Sequence, residues 1–269
     1  MALLSDDTLW IFISLAKIKP DNRHIHDIAL GITSLENNGI KSNNILLIID
    51  GNYNDVDSII KGTYDIYSIS KLPSLIKERS NKNLVVFITG HGNEKGLDGL
   101  SSQELIDILI QNHNAENTII YLGQCCALAF DNIHLPKLLL IEGVKTYSIS
   151  SSMSNEKTIL YNRFLFYIFE WINQIQNITD ENKRSVLASA QYADKNLKEY
   201  HKKSIPEINS QIKKLTEKIN NLSVIDENYD KIRITLEDEI NRLKQITEIP
   251  INSQRTWFSD FFMAKDIKF

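Results

Sequence analysis

The sequence predicts an α/β fold built on a mainly parallel sheet with helices on both faces. Two observations carry this. Apolar runs break off, one after another, into polar residues next to glycine, as strands do when they reach one edge of an open sheet. Between these runs lie amphipathic stripes and helix caps, and strands alternating with helices at this spacing form parallel pairs covered on both sides.

Residues 8–15 (Thr-Leu-Trp-Ile-Phe-Ile-Ser-Leu) read as the first strand. From about Arg23 to Asn38, Ile25, Ile28, Ala29, Ile32 and Leu35 form a helical stripe that Asn37-Asn38-Gly39 closes. A second strand spans residues 44–49 and ends at Asp50-Gly51-Asn52; a helix follows at about 73–79. The third strand is 84–89. Ser101 or Ser102 then caps a helix that runs through Ile110 with an acidic first turn. The fourth strand is 118–123 and a fifth is expected at 144–150, running into the loop Ser151-Ser152-Met153.

Helices are expected at about 158–173 and 180–198. Beyond them Ile208, Ile212, Leu215, Ile219 and Leu222 recur at spacings of four and three, and Tyr229, Ile232, Leu236, Ile240 and Leu243 nearly repeat the pattern. This reads as a charged antiparallel hairpin over residues 206–247, either packed on the sheet domain or free to bind a protein partner. Pro250 ends it, and residues 256–263 are expected to return as a final strand. The domain division expected is therefore 1–205, the hairpin insertion 206–247, and a C-terminal segment 248–269.

Composition excludes several classes. Hydrophobic residues at 42% and charged residues at 24% are ordinary for a globular chain. A net charge of -4 gives no electrostatic reason to expect nucleic acid or an anionic membrane as partner. No apolar run approaches the ~20 residues of a membrane helix. The opening residues lack the basic region of a secretory leader, and the two cysteines are adjacent, which makes no disulfide framework. A reducing, cytoplasmic setting is expected.

The chemistry concentrates at two strand ends. Leu84-Val-Val-Phe-Ile-Thr-Gly90 delivers His91, and Thr118-Ile-Ile-Tyr-Leu-Gly123 leads to Gln124-Cys125-Cys126. Alone, a buried cysteine is usually a small apolar core residue and a loop histidine is usually solvated. Together at matching strand ends they suggest a thiol nucleophile and the base that activates it. Glycines at 90, 92, 96 and 99 allow close backbone approach, so the Gly92 amide is a candidate oxyanion donor. The spacing fits neither a dinucleotide fingerprint nor a Walker loop, so no nucleotide cofactor is expected. His24 and His26 lack the spacing of a zinc site, and no metal is expected. His113, His134 and His201 read as surface.

These residues resemble the caspase-like cysteine proteases, and within them the legumain-like branch. Asn22-Arg23-His24 looks like the family's substrate-pocket arginine motif. Gly90-His91-Gly92 looks like its catalytic His-Gly, and Gln124-Cys125-Cys126 like its acid/amide-x-Cys motif. Tyr147-Ser-Ile-Ser-Ser-Ser152 is similar to the strand and loop beside the substrate cleft. The likeness covers roughly residues 8–200. Ala127 after the nucleophile departs from the pattern, and the hairpin has no counterpart in the family's core.

The resemblance implies a three-layer α/β/α caspase-like fold and a cysteine endopeptidase acting on protein or peptide substrates without a cofactor. Matching Gln124 to the family's polar position makes Cys126 the nucleophile; a one-residue shift selects Cys125. His91 is then the general base and Gly92 an oxyanion donor. Arg23, Gln124, Ser150 and Ser151 line the substrate cleft, with Asp or Asn the expected P1 residue. A catalytically silent module that binds partners through the hairpin is the alternative.

Overall fold

The computed structural model describes residues 2–16, 22–51, 56–60, 64–124, 127–130, 132–142, 163–222, 228–248 and 257–269. The first strand, β1 (Thr8–Ala16), leads to α1 (Asn22–Glu36) and back to β2 (Ile45–Gly51). A short α2 (Val56–Ile59), the two-residue β3 (Ile66–Tyr67) and α3 (Leu72–Lys77) precede β4 (Asn83–Gly90). A small antiparallel ribbon follows: β5 (Gly92–Asn93), β6 (Gly96–Leu97) and β7 (Leu100–Ser101). Then come α4 (Ser102–Asn112), β8 (Asn117–Leu122) and β9 (Leu138–Glu142). The chain finishes with α5 (Arg163–Gln174), α6 (Val186–Asn220), α7 (Tyr229–Glu248), β10 (Trp257–Phe258) and α8 (Phe261–Asp266).

Seven of these strands form one sheet in the order β10-β9-β8-β4-β1-β2-β3, parallel throughout except for β10 at the edge. Every residue of β4 is buried, because both faces of the sheet are covered. On one face Trp10, Phe12, Val85, Phe87, Ile119 and Tyr121 pack under α1, α5 and α6. On the other, Ile11, Ile13, Val86, Ile88, Ile120 and Leu122 pack against α3 and α4. Three layers result, helix–sheet–helix.

Local chemistry explains the helix positions. Ser101 caps α4 with a reciprocal capping box: its hydroxyl accepts from the Glu104 amide while the Glu104 carboxylate accepts from the Ser101 amide at 2.8 Å. In α1, His24, Ile25, Asp27, Ile28, Gly31, Ile32, Ser34 and Leu35 are all buried, a single stripe at helical spacing. Gly31 sits where a Cβ would lie 2.3 Å from the Phe12 ring, so its lack of a side chain lets α1 approach the sheet this closely.

Three expectations change. The hairpin over 206–247 exists as two packed helices, but its first arm is not separate. α6 is one 35-residue helix with Pro206 inside it. Buried residues lie on both sides of the proline, with Val186, Ala190, Ala193, Leu197 and Ser204 before it and Ile208 after it, so packing holds the helix past Pro206. The helix expected from 180 starts instead at Val186, where the Ser185 hydroxyl accepts from the Ala188 amide at 3.1 Å; residues 181–184 form a 3-10 turn. Of the final strand expected over 256–263, only Trp257–Phe258 pairs with β9, since Asp260 caps α8 by accepting from the Met263 amide at 2.9 Å. The strand expected at 144–150 lies outside the described residues; Leu138–Glu142 is a strand that the sequence did not lead us to expect. No described helix is long and apolar enough to cross a membrane.

His113, read from sequence as a surface residue, is buried at the end of α4, and neither ring nitrogen has a hydrogen-bond partner among the described residues. Burial holds its pKa below the ordinary imidazole value of 6.5. The unfolded chain therefore binds this proton at a higher pH than the folded one. Stability is intact above about pH 6.5 and falls as the pH drops below it, until the folded ring protonates as well. His113→Phe, which keeps a buried ring but removes the titrating group, should flatten this part of the stability curve in urea titrations between pH 7 and 5. An unchanged slope would remove His113 from the acid response.

Candidate active site at the sheet's C-terminal edge

The topology creates one switch point. From β1 the chain moves outward through β2 and β3, then returns to the other side of β1 with β4 and continues outward through β8 and β9. The crossovers after β1 and β4 leave in opposite directions, and the crevice between such strand ends is where open α/β sheets bind ligands. The segment after β1 supplies Arg23 and His24 in the first turn of α1; the residue after β4 is His91.

Gly90 makes the turn that presents His91. Its φ is +126°, a backbone conformation L side chains rarely adopt, and a Cβ there would lie 2.8 Å from the Leu15 carbonyl oxygen. β1 and β4 are paired as far as Leu15 opposite Gly90, the last residue of β4, and the chain then turns abruptly. The His91 carbonyl accepts from the Asp98 amide at 3.1 Å, which closes the glycine-rich segment into the small ribbon that carries Gly92 opposite Leu97.

Beneath His91 lies a buried polar cluster that replaces the apolar inner face at its end. Along β1, Trp10 and Phe12 give way to Ser14; along β4, Val85 and Phe87 give way to Thr89, and Ser14 pairs with Thr89 in register. The Thr89 hydroxyl donates to Asp27 Oδ2 at 2.6 Å in fully buried surroundings. A buried carboxylate persists only where such bonds satisfy it, and this one pins α1 to the end of β4.

One helical turn before Asp27 stands His24, 2% exposed. Its ring meets that of His91 edge-on, with centroids 5.0 Å apart and planes at 86°. Arg23 Nη2 lies 3.4 Å from His24 Nε2. A guanidinium only donates, so in this contact His24 Nε2 is the acceptor.

β8 delivers the second half of the site. It pairs with β4 up to Ile88 opposite Leu122, and the Gly123 amide still donates to the Ile88 carbonyl at 2.9 Å. Gln124 follows, buried. Cys125, Cys126, Ser150 and Ser151 lie outside the described residues.

Of the residues expected from sequence, the structure brings Arg23 and His91 together through His24 and sets Gly92 and Gln124 at the ends of two adjacent strands. It adds three that the sequence reading passed over: His24 as a ring against His91, Asp27 beneath it, and Glu142, a buried acid at the end of β9 in register with Leu122. His24 and Asp27 had a legible signal, since both fall on the α1 stripe of Ile25, Ile28 and Ile32. Glu142 escaped because no strand was expected over residues 138–142. Among the described residues no group of three or more His, Cys, Asp or Glu side chains is placed to hold a metal. No known family model matches the chain, and no curated protein matches it.

Gly90→Ala tests the turn. The added methyl meets backbone rather than a mobile side chain, and φ is unfavourable, so the variant should lose about 1–3 kcal/mol of stability in chemical denaturation. Wild-type stability in Gly90→Ala would show that the strand end tolerates another path.

Proposed function

We propose that the chain is a cysteine endopeptidase of caspase-like architecture, with Cys126 as nucleophile and His91 as its base. The observation that supports this best is the pairing of β8 with β4 up to Leu122 opposite Ile88, three residues before His91; β8 leads on through Gln124 to the two cysteines. Cys125 is the alternative nucleophile. The reading needs a free thiol, in keeping with a reducing cytoplasmic setting, and neither metal nor nucleotide.

In the proposed reaction the thiol proton passes to His91 and the Cys126 thiolate attacks the scissile carbonyl carbon. Negative charge develops on the carbonyl oxygen, where the Gly92 amide is the candidate donor. Collapse of this intermediate breaks the C–N bond, with the His91 imidazolium giving its proton to the leaving amine. Water, deprotonated by His91, then attacks the thioester carbon; the C–S bond breaks, the acid product leaves, and the Cys126 thiolate takes the proton back from His91.

Arg23, beside the crevice, offers a cation to a P1 side chain, with Gln124 as a second polar group and Ser150 and Ser151 as further candidate substrate contacts. An unpaired buried cation at P1 facing Arg23 would cost several kcal/mol, so Asp or Asn is favoured over Lys or Arg.

Cys126→Ala and His91→Ala should each lower kcat/KM for peptide cleavage by about a thousandfold or more, while stability changes by about 1 kcal/mol or less. Activity retained in Cys126→Ala and lost in Cys125→Ala would move the nucleophile by one residue. An inert wild-type protein that also fails to react with thiol-directed peptide probes would leave the catalytically silent, partner-binding module in its place. Among fluorogenic peptides varied at P1, those with Asp or Asn should turn over fastest, and Arg23→Ala should erase that preference; faster turnover of Lys or Arg substrates would overturn the pocket assignment.

A further inference from the structure

We infer that His24 is a positioning residue for His91, and that it links the substrate pocket to the general base. This rests on the protease reading above. The juxtaposition that carries it is a chain of three side chains: Arg23 Nη2 at 3.4 Å from His24 Nε2, and the His24 ring edge-on to His91 with centroids 5.0 Å apart.

His91 stands just past the end of a strand, on a turn and only partly buried, where the backbone sets its position but not its χ2. An edge-to-face partner favours one orientation of its ring, because an aromatic pair at this separation has a preferred relative geometry. His24 can act as that partner because its own position is fixed. It is buried within the apolar stripe of α1, and Asp27, one turn further along the same helix, is tied to β4 by the Thr89 hydroxyl at 2.6 Å. The helix that holds His24 and the strand that holds His91 are thus joined directly beneath the two rings.

The contact with Arg23 adds a second consequence. A P1 carboxylate that engages the guanidinium changes the group bonded to His24 Nε2, and His24 touches His91. Occupying the pocket therefore bears on the geometry of the base, and P1 discrimination should appear in kcat as well as in KM.

Comparing His24→Phe with His24→Leu in the full-length protein separates the ring from everything else His24 does. Both substitutions keep the site filled and apolar, and both remove the Nε2 acceptor from Arg23; only phenylalanine keeps a flat ring beside His91. Misplacing a catalytic group by about 1 Å costs on the order of a hundredfold in rate. His24→Leu should accordingly lower kcat tenfold or more with KM for a P1-Asp peptide within about threefold of His24→Phe, whereas His24→Phe retains kcat within about threefold of wild type. The His91 Cε1 proton, observed by NMR, should carry a ring-current shift in wild type and His24→Phe that His24→Leu loses. In both variants the kcat ratio between P1-Asp and P1-Ala peptides should shrink towards one. Equal kcat in wild type, Phe and Leu forms would overturn the positioning role while leaving the protease reading intact, and so would an equal loss in Phe and Leu. A wild-type protein with no turnover on any P1 peptide would instead remove the protease reading, and with it the catalytic purpose of the contact, even if the ring-current shift is present.

Discussion

Everything in this molecule is arranged around the burial of Phe87 in the middle of β4. Its ring stacks on Trp10, Phe12 and Tyr121 at centroid distances of 6.1, 5.3 and 5.0 Å and meets Phe169 of α5 edge-on at 4.8 Å. One side chain thus ties three neighbouring strands to a covering helix. Rings of this size dominate core energetics, and their preferred geometries fix relative orientation as well as distance. β1, β4 and β8 are therefore locked in register, and the ends of the strands are locked with them.

That lock is what makes the polar end of the sheet affordable. Ser14, Thr89 and Asp27 are buried, and a buried carboxylate without partners would be expelled or protonated. Here the aromatic layer holds α1 and β4 in place, and the Thr89–Asp27 hydrogen bond forms at the point where the apolar side chains stop. The same alternation along each strand that sends Trp10 and Phe12, then Val85 and Phe87, into the core sends Ser14 and Thr89 to its rim. The rim is where His24 and His91 meet.

Function, on this view, is a property of strand ends supported from behind. Gly90 allows the turn, the ribbon after it returns to cap α4, and α1 presents two side chains from its first turn across the switch point. None of these parts is chemically unusual. Their value lies in being held together by elements far apart in sequence, α1 with β4 and β4 with β8.

Much of this was legible in the chain. The apolar runs specified β1, β2, β4 and β8, the stripe of Ile25, Ile28 and Ile32 specified α1, and the Ser-x-x-Glu signal at Ser101 specified the start of α4, because each depends on local periodicity or on one cap. Residues 91 and 124–126 stood out as strand-end residues for the same reason. The sequence by itself could not place β9, whose five residues Leu138–Glu142 end in an acid that no local rule buries, and it broke α6 before Pro206 where buried residues on both sides of the proline hold the helix whole. Nor could it pair His24 with His91. Periodicity tells which face of α1 is buried but not which strand lies beneath it, and only the strand order and the aromatic layer, contacts between distant segments, bring those two rings within 5.0 Å.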